Sequence, residues 1–322
     1  MLDLVRLSRR RLFPPGGEAL YRQIAVLTGM GEDAEVLDVG CGKAVTLEYF
    51  VREFGVHGSG IESDPQLVDE ALERLREAEL GDRVQVQQAP ADSLPYRDAI
   101  FDITVGEVGM TADADPAEAV RELVRVTRPG GTVVLVQLVW LAPVEPHRRA
   151  LLEDHLGVRP RILVEWKRLL REAGVTDLHT EDWSDPDTAF RPGGVKPFPD
   201  FAELFSLGEK IGILRRAWAR WGWTGVRTVL SREREVHRLL TRERILGLDL
   251  LKGTRMPDPD TPEAADAPET ADAEAASDGP VRVDVVGDAD ADAAPDADAD
   301  AATDADAPRD TRGLPLFTPE GS

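Results

Sequence analysis

The residues best suited to bind a ligand lie in the segment VLDVGCGKAVT (36–46), where an acid is followed by two closely spaced glycines. Gly40 and Gly42 allow the backbone to turn sharply and to approach a ligand without a Cβ in the way. The helix predicted beyond them presents free N–H groups that suit a ligand carboxylate, and Asp38 can hydrogen-bond a cationic group. Such turns also occur as purely structural features, so other residues must show whether this turn binds a ligand.

Residues at two further strand ends support a ligand site. Glu62 follows Gly42 by 20 residues, at the end of the second predicted strand, where an acidic side chain accepts both hydroxyls of a ribose. The alternative for Glu62 is a solvated carboxylate at a strand end. Asp92 and Ser93 come just past the third predicted strand, on the same edge of the sheet, where they can cap the amino group of an adenine.

The elements that position these residues alternate between short β-branched runs and helical patterns, which is typical of βαβ units and a parallel sheet. Asp64 and Pro65 mark the start of one helix as N-cap and first helical residue. Strands are predicted at 34–40, 57–63, 83–89, 101–109, 131–141, 175–183 and 245–253. Helices are predicted at 18–27, 45–54, 65–79, 116–127 and 161–174.

Four segments together resemble the class I S-adenosylmethionine-dependent methyltransferases, in particular the small-molecule branch with the ubiquinone/menaquinone-biosynthesis-type enzymes. In chain order they are LDVGCGKA (37–44), GIESD (60–64), ADSLPYRDAIFD (91–102) and LVRVTRPGGTVVLV (123–136). The resemblance covers residues 30–183 and, more faintly, 245–253. It implies a doubly wound, Rossmann-like α/β fold with a mostly parallel seven-stranded sheet, and methyl transfer from S-adenosylmethionine.

The resemblance also implies a cofactor site at three strand ends. Its predicted residues are Asp38, Gly40, Cys41, Gly42, Glu62, Asp92 and Ser93. Asp38, Gly40 and Gly42 surround the methionine part of S-adenosylmethionine, with Cys41 between the two glycines. Glu62 binds the ribose, and Asp92, followed by Ser93, contacts the adenine. The family often has a third glycine in the turn, and this chain has Ala44 there.

Glu107, at the carboxyl end of the fourth predicted strand, is the candidate catalytic residue and a candidate for binding the acceptor. In this fold that strand end faces the transferred methyl, so the carboxylate can bind an amine, orient a hydroxyl or contact the sulfonium. The alternative role for Glu107 is that of a hydrogen-bonding loop residue.

Tyr21, on the first predicted helix, either closes over the cofactor as a lid or packs on the core. Alignment supplies most of the rate of methyl transfer, so a general base is needed only for a protonated nucleophile.

Residues 184–244 separate the last two predicted strands and are predicted to form a helical insertion. Its 201–230 segment carries three tryptophans and four arginines. Trp218 and Trp221 are three apart, so a helix places them near one face, as candidate residues for binding an apolar acceptor. The alternatives are peripheral membrane contact through 201–230 and a helical subdomain or dimer contact.

The chain of 322 residues has a formal net charge of -22, of which residues 256–322 carry -16. Asp, Ala and Pro dominate this tail, which is therefore predicted to be disordered. The negative charge argues against nucleic-acid binding.

Cys41 is the single cysteine, and no base lies beside it in the sequence, so we interpret it as a turn residue rather than a nucleophile. The five histidines lack metal-ligand spacing, so no metal is predicted. No signal peptide is recognised, and a cytoplasmic location is expected.

The predicted organisation is an N-terminal helical lid (1–29), a cofactor-binding core (30–183), the insertion (184–244), a last core strand (245–255) and the tail (256–322). The predicted function is methyl transfer from S-adenosylmethionine to a small, apolar or lipid-like acceptor. One alternative is methylation of a protein or another macromolecule through the insertion. A second is a non-catalytic nucleotide-binding module that uses the insertion to contact a partner.

Overall fold

A seven-stranded sheet forms the centre of the computed structural model, which describes residues 12–184, 205–237 and 243–257. The strands are β1 Glu35–Val39, β2 His57–Glu62, β3 Val84–Gln88, β4 Phe101–Gly106, β5 Thr127–Trp140, β6 Val175–Asp182 and β7 Leu246–Arg255. Their order is β3-β2-β1-β4-β5-β7-β6. The first five strands are parallel, whereas β7 is antiparallel to both β5 and β6. The predicted fold class is confirmed.

Helices join most consecutive strands, as expected for βαβ units, whereas β4 follows β3 without an intervening helix among the described elements. The helices are α1 Gly17–Thr28, α2 Val45–Phe54, α3 Pro65–Glu77, α4 Pro116–Val126, α5 Pro146–Leu156, α6 Leu163–Glu172 and α7 Leu207–His237. The predicted N-cap of α3 is confirmed, because the Asp64 carboxylate accepts the N–H of Gln66. None of these helices, as far as the described residues extend, combines the length and the apolar composition that a membrane crossing requires.

Apolar side chains cover both faces of the sheet, which makes the fold doubly wound. One cluster joins the sheet to α1, α2, α3 and α5, and includes Leu20 and Phe50. The other joins it to α4 and α6, and includes Leu123 and Trp166. Each of these four side chains is less than 2 % exposed. Truncating a buried aromatic side chain to alanine typically costs about 3–5 kcal/mol, so these layers hold the strand ends in place.

Two predicted boundaries were wrong, and one helix was not predicted. The fourth strand was expected to run through 101–109, but it ends at Gly106, because residues 108–111 form a short 3-10 helix. There the Met110 N–H donates to the Glu107 carbonyl at 2.9 Å. β5 begins at Thr127, before the expected 131. Helix α5 escaped prediction because its sequence, PHRRALLEDHL, has few apolar residues.

The insertion contains one long helical run, α7, which is interrupted at Gly222. This glycine has φ 66 and ψ -179, a left-handed backbone conformation that separates two helical halves. The predicted helical spacing in this region is therefore confirmed, with a break that spacing does not reveal. Residues 185–204 and 238–242 of the insertion, residues 1–11 of the predicted lid, and residues 258–322 of the tail lie outside the described residues.

Candidate active site

The glycine turn after β1 is fixed by backbone hydrogen bonds to β2. The N–H groups of Gly40 and Cys41 both donate to the carbonyl of Ile61, at 2.8 and 3.1 Å. Gly40 has φ 80, and a Cβ on it would lie 2.6 Å from the backbone nitrogen of Met110. The glycine is therefore required both by its left-handed conformation and by its close approach to the short helix after β4.

Ala44, at the position where the family often has a third glycine, keeps a glycine-like backbone. Its φ of 56 and ψ of 30 are left-handed, and its side chain is fully buried. Left-handed backbone costs an alanine roughly 1–2 kcal/mol, so the surrounding turn maintains this conformation against a local preference. Compared with a glycine at this position, Ala44 therefore adds one buried methyl group to a left-handed turn.

Glu62 joins the glycine turn to the end of β2. One carboxylate oxygen, Oε2, accepts the N–H of Gly42 at 2.9 Å. The other, Oε1, accepts the N–H groups of Ser63 and Asp64 at 2.8 and 3.1 Å. Burial raises the pKa of Glu62, and these three backbone N–H groups act in the opposite direction. Glu62 is therefore a structural acceptor, not the solvated carboxylate of the alternative interpretation.

Asp38 is a buried carboxylate without a hydrogen-bond partner in the described structure. Its side chain is 0% exposed, and neither Oδ1 nor Oδ2 accepts a hydrogen bond. Burial raises the pKa of Asp38 well above its usual value, and the charges of Glu107 and Glu62 raise it further. A buried carboxylate in this state is relieved by a cationic or hydrogen-bond-donating ligand.

Glu107 lies beside Asp38 and is held by two hydroxyl groups. The Tyr21 hydroxyl donates to Oε2 at 2.6 Å, and the Thr46 hydroxyl donates to Oε1 at 3.1 Å. Burial raises the pKa of Glu107 to about 7, although both hydrogen bonds lower it. Tyr21 is itself 0% exposed and packs in the core, as one of its two predicted alternatives has it, while its hydroxyl contacts the acid. The other alternative, a lid over the cofactor, stays a prediction.

Two polar residues that support Glu107 were not predicted. Thr46 lies in the first turn of α2, and Gln137 lies in β5. The Gln137 amide donates to the carbonyls of Gly106 and Glu107, at 3.1 and 2.9 Å, and so fixes the end of β4. The signal for Gln137 was present, because it is the polar residue that interrupts the apolar run from Val133 to Val144.

The three carboxylates of Asp38, Glu62 and Glu107 form one acidic cluster, 0–7% exposed, at the carboxyl edge of the sheet. Within the part of the chain that the structure describes, no lysine, arginine or histidine forms an ion pair with them. No group of described residues is arranged to hold a metal ion. Carboxylate oxygens accept hydrogen bonds from ammonium and hydroxyl groups, so the cluster suits an organic ligand that brings positive charge and hydroxyl groups.

Comparisons with known proteins agree with this chemistry. A family model described as a methyltransferase domain matches residues 36–131. The methyltransferase GfsG of Streptomyces halstedii is 30% identical over 62% of this chain and 72% of its own. This chain belongs to the class I S-adenosylmethionine-dependent methyltransferases. The 27-O-demethylrifamycin SV methyltransferase of Amycolatopsis mediterranei is 31% identical over 52% of this chain and 62% of its own. Phosphoethanolamine N-methyltransferase 2 of Haemonchus contortus, solved with S-adenosyl-L-methionine, has a TM-score of 0.60 at 16% identity, over 76% of this chain and 54% of that one.

The acidic cluster of the methyltransferase fits its cofactor, S-adenosylmethionine. The cofactor has an ammonium group, a sulfonium and two ribose hydroxyls, and the cluster offers carboxylate oxygens. Both Asp38 oxygens are without partners, and Glu62 Oε2, which accepts one hydrogen bond, retains acceptor capacity, whereas Oε1 already accepts two. The residues present are therefore chemically suited to hold this group.

The remaining predicted cofactor residues lie around the same edge. The loop with Asp92 and Ser93 leaves β3 beside β2, where the Ala89 N–H donates to the Glu62 carbonyl at 3.2 Å. Asp92 is half-buried and Ser93 is exposed. Cys41 is buried, and a Cβ at Gly60 would lie 2.8 Å from its sulfur, so the thiol fills space between β1 and β2.

The predicted acceptor residues of the insertion lie away from the two clusters that cover the sheet. Trp221 is half-buried against a third apolar cluster, to which both halves of α7 contribute, and Trp218 is 62% exposed. The Arg220 guanidinium lies 6.0 Å from the centre of the Trp221 ring. The structure therefore brings Asp38, Glu62 and Glu107 together and shows no contact between these acids and either tryptophan among the described residues.

Proposed function

We propose that the methyltransferase acts on a small apolar acceptor enclosed between α1 and the carboxyl edge of the sheet. The observation that carries this proposal is the closure of the acidic cluster by α1, through the bond from Tyr21 to Glu107. Tyr21 is 0% and Glu107 is 1% exposed. A small molecule can be enclosed by such a cover, whereas a protein or nucleic-acid substrate needs an open surface.

Aromatic rings around Tyr21 support an apolar acceptor. The ring of Tyr21 lies 6.0 Å from that of Phe13 and 6.1 Å from that of Phe50. The Amycolatopsis relative is named for a small molecule, 27-O-demethylrifamycin SV, and the Haemonchus protein for phosphoethanolamine. Both names support a small-molecule acceptor, and the aromatic surroundings favour an apolar one.

For the cofactor, we assign Glu62 to the ribose hydroxyls and Asp38 to the positively charged methionine part, next to the turn of Gly40, Cys41 and Gly42. Asp92 and Ser93 are assigned to the adenine. When bound, S-adenosylmethionine supplies a methyl group made electrophilic by its sulfonium. The carboxylates stabilise positive charge there, and the burial of the site excludes water.

Glu107 is the residue that we assign to the acceptor's proton. A hydroxyl or amine that gains a methyl group loses a proton, and this carboxylate can take it on Oε1 or Oε2. Its pKa of about 7 means that it is partly ionised near neutral pH. Tyr21 and Thr46 orient the carboxylate, so we expect methyl transfer to such an acceptor to rise with pH towards about 7 and then to level off.

A labelling experiment tests the proposed function. A metabolite extract is incubated with trideuteromethyl S-adenosylmethionine and either the native enzyme or Glu107→Gln. Label is expected in an organic-soluble small molecule with the native enzyme, and at least tenfold less with the variant. Glu73→Gln is the matched control, because Glu73 pairs with Arg76 on the exposed side of α3. Label that enters only protein or nucleic acid would instead support a macromolecular acceptor.

A peripheral membrane contact through residues 201–230 stays a prediction. The exposed Trp218 and Trp223 are the side chains of this segment that such a contact would use. Its test is the vesicle measurement described below.

A further inference from the structure

Helix α7 forms a small helical unit around an apolar cluster that also includes Phe205, which precedes it, with Leu12 packed against the cluster. The break at Gly222 divides the helix into two halves that contribute to this cluster of buried residues. Ile213 and Ala217 come from the first half, and Val226 comes from the second. These residues account for the packing of the two halves against each other. They do not account for the shape of another side of the unit.

That side carries a groove with a volume of about 630 Å³. Its apolar wall is formed by Leu214, Val226 and Leu230, and two indoles, Trp218 and Trp223, flank it. Trp218 is 62% and Trp223 is 74% exposed. The volume falls within the range of roughly 300–1,000 Å³ that is usual for small-molecule sites. Two large exposed indoles beside one concave surface indicate a surface that is covered by a ligand.

The polar side of the groove is cationic. Arg227, Ser231 and Arg234 line it, at spacings of four and three residues that place them along one stripe of the helix. Among the described lining residues there is no carboxylate, and neither arginine forms an ion pair with another described residue. Guanidinium groups bind carboxylate, sulfate and phosphate oxygens through paired hydrogen bonds. The groove therefore combines an apolar wall with an anion-binding edge.

We propose that the groove binds an anionic amphiphile, a single molecule with an apolar body and one carboxylate, sulfate or phosphate group. The apolar body lies between Trp218 and Trp223, and the anionic group lies at Arg227 and Arg234. The concave shape favours one enclosed molecule over a flat bilayer. The net charge of -22 also opposes adsorption of the whole chain to an anionic membrane.

This binding site goes beyond the proposed methyl transfer, because the groove shares no residue with the acidic cluster. Binding can therefore be measured in the absence of cofactor, and it can succeed or fail whether or not the acceptor assignment is correct. The probe is decyl phosphate below its critical micelle concentration, with decanol as the neutral comparison. Titration is followed by calorimetry and by tryptophan fluorescence.

The native protein is expected to bind decyl phosphate at least tenfold more tightly than decanol. The double variant Arg227→Gln with Arg234→Gln should lose at least tenfold of that affinity. The matched control is Arg215→Gln with Arg220→Gln, which changes two exposed arginines of α7 that do not line the groove. The control should stay within twofold, and all variants should keep native affinity for S-adenosylmethionine, which shows that they are folded.

Three results would overturn the proposal. The first is no binding of decyl phosphate by the native protein. The second is an equal loss of affinity in both double variants, which would indicate a general charge effect. The third is binding to phosphatidylglycerol vesicles, but not to phosphatidylcholine vesicles or to decyl phosphate, which would assign this side of α7 to a membrane surface.

Discussion

The substitution Glu62→Gln separates the two roles that the structure gives to this side chain. Glutamine keeps the volume and one carbonyl oxygen, but its amide nitrogen cannot accept a hydrogen bond. Of the three N–H groups that the carboxylate accepts, those of Gly42, Ser63 and Asp64, at least one therefore loses its acceptor. Leaving one buried donor unsatisfied costs about 1–3 kcal/mol, so the free energy of unfolding should fall by about that amount.

Cofactor affinity should fall by more than this structural effect explains. The proposed hydrogen bonds from the ribose to a charged acceptor contribute about 1.5–3 kcal/mol, and each tenfold in Kd corresponds to about 1.4 kcal/mol. We therefore expect a Kd for S-adenosylmethionine about 10–100-fold higher in Glu62→Gln, measured by calorimetry at a temperature where the variant is folded. Glu73→Gln should leave both quantities unchanged. A folded Glu62→Gln protein with a Kd within twofold of native would show that the ribose does not bind there.

Further predictions concern pH, the thiol and the tail. Because the pKa of Glu107 is raised from 4.5 to about 7, the folded cofactor-free protein holds this proton more tightly than the unfolded chain does. The free energy of unfolding should therefore fall, by up to about 3 kcal/mol, as pH rises from about 4.5 to about 7. In thermal melts, the stability of Glu107→Gln should depend less on pH over this range. Cys41→Ala should keep the rate of methyl transfer within about threefold, since burial raises the pKa of the thiol and disfavours a thiolate. A large loss of rate with intact cofactor binding would contradict this. Removal of residues 258–322 should leave cofactor affinity within twofold, which calorimetry can check; loss of binding would show that the tail belongs to the site.

The elements that could be predicted from the sequence are those marked by a pattern within their own residues. Alternation of apolar residues located the strands, and Asp64 with Pro65 located the start of α3. Helix α5 has no such signal, because only Leu152 and Leu156 are buried among its described residues and most of its other residues are polar. The break in α7 was missed because spacing predicts a helix on both sides of Gly222 and does not specify how the two meet.

The sequence was sufficient to predict which residues form the acidic cluster, but not which hydrogen bonds they make. Asp38, Glu62 and Glu107 each end a predicted strand, and the ends of parallel strands meet at one edge of the sheet. The bond between Tyr21 and Glu107 joins residues 86 positions apart, so it depends on how α1 packs against the sheet. The partnerless state of Asp38 is likewise a property of the assembled core.

The position of β7 has a consequence for the way in which this chain folds during synthesis. Strand β7 lies between β5 and β6, yet it follows both in sequence, and residues 183–245 must be made before it appears. Until then the outer edge of β5 has no partner in this sheet and presents free N–H and C=O groups. Late closure of long-range pairs slows folding and exposes such edges to other chains. We therefore expect nascent chains that stop before Leu246 to associate through β5, and completion of β7 to end that exposure.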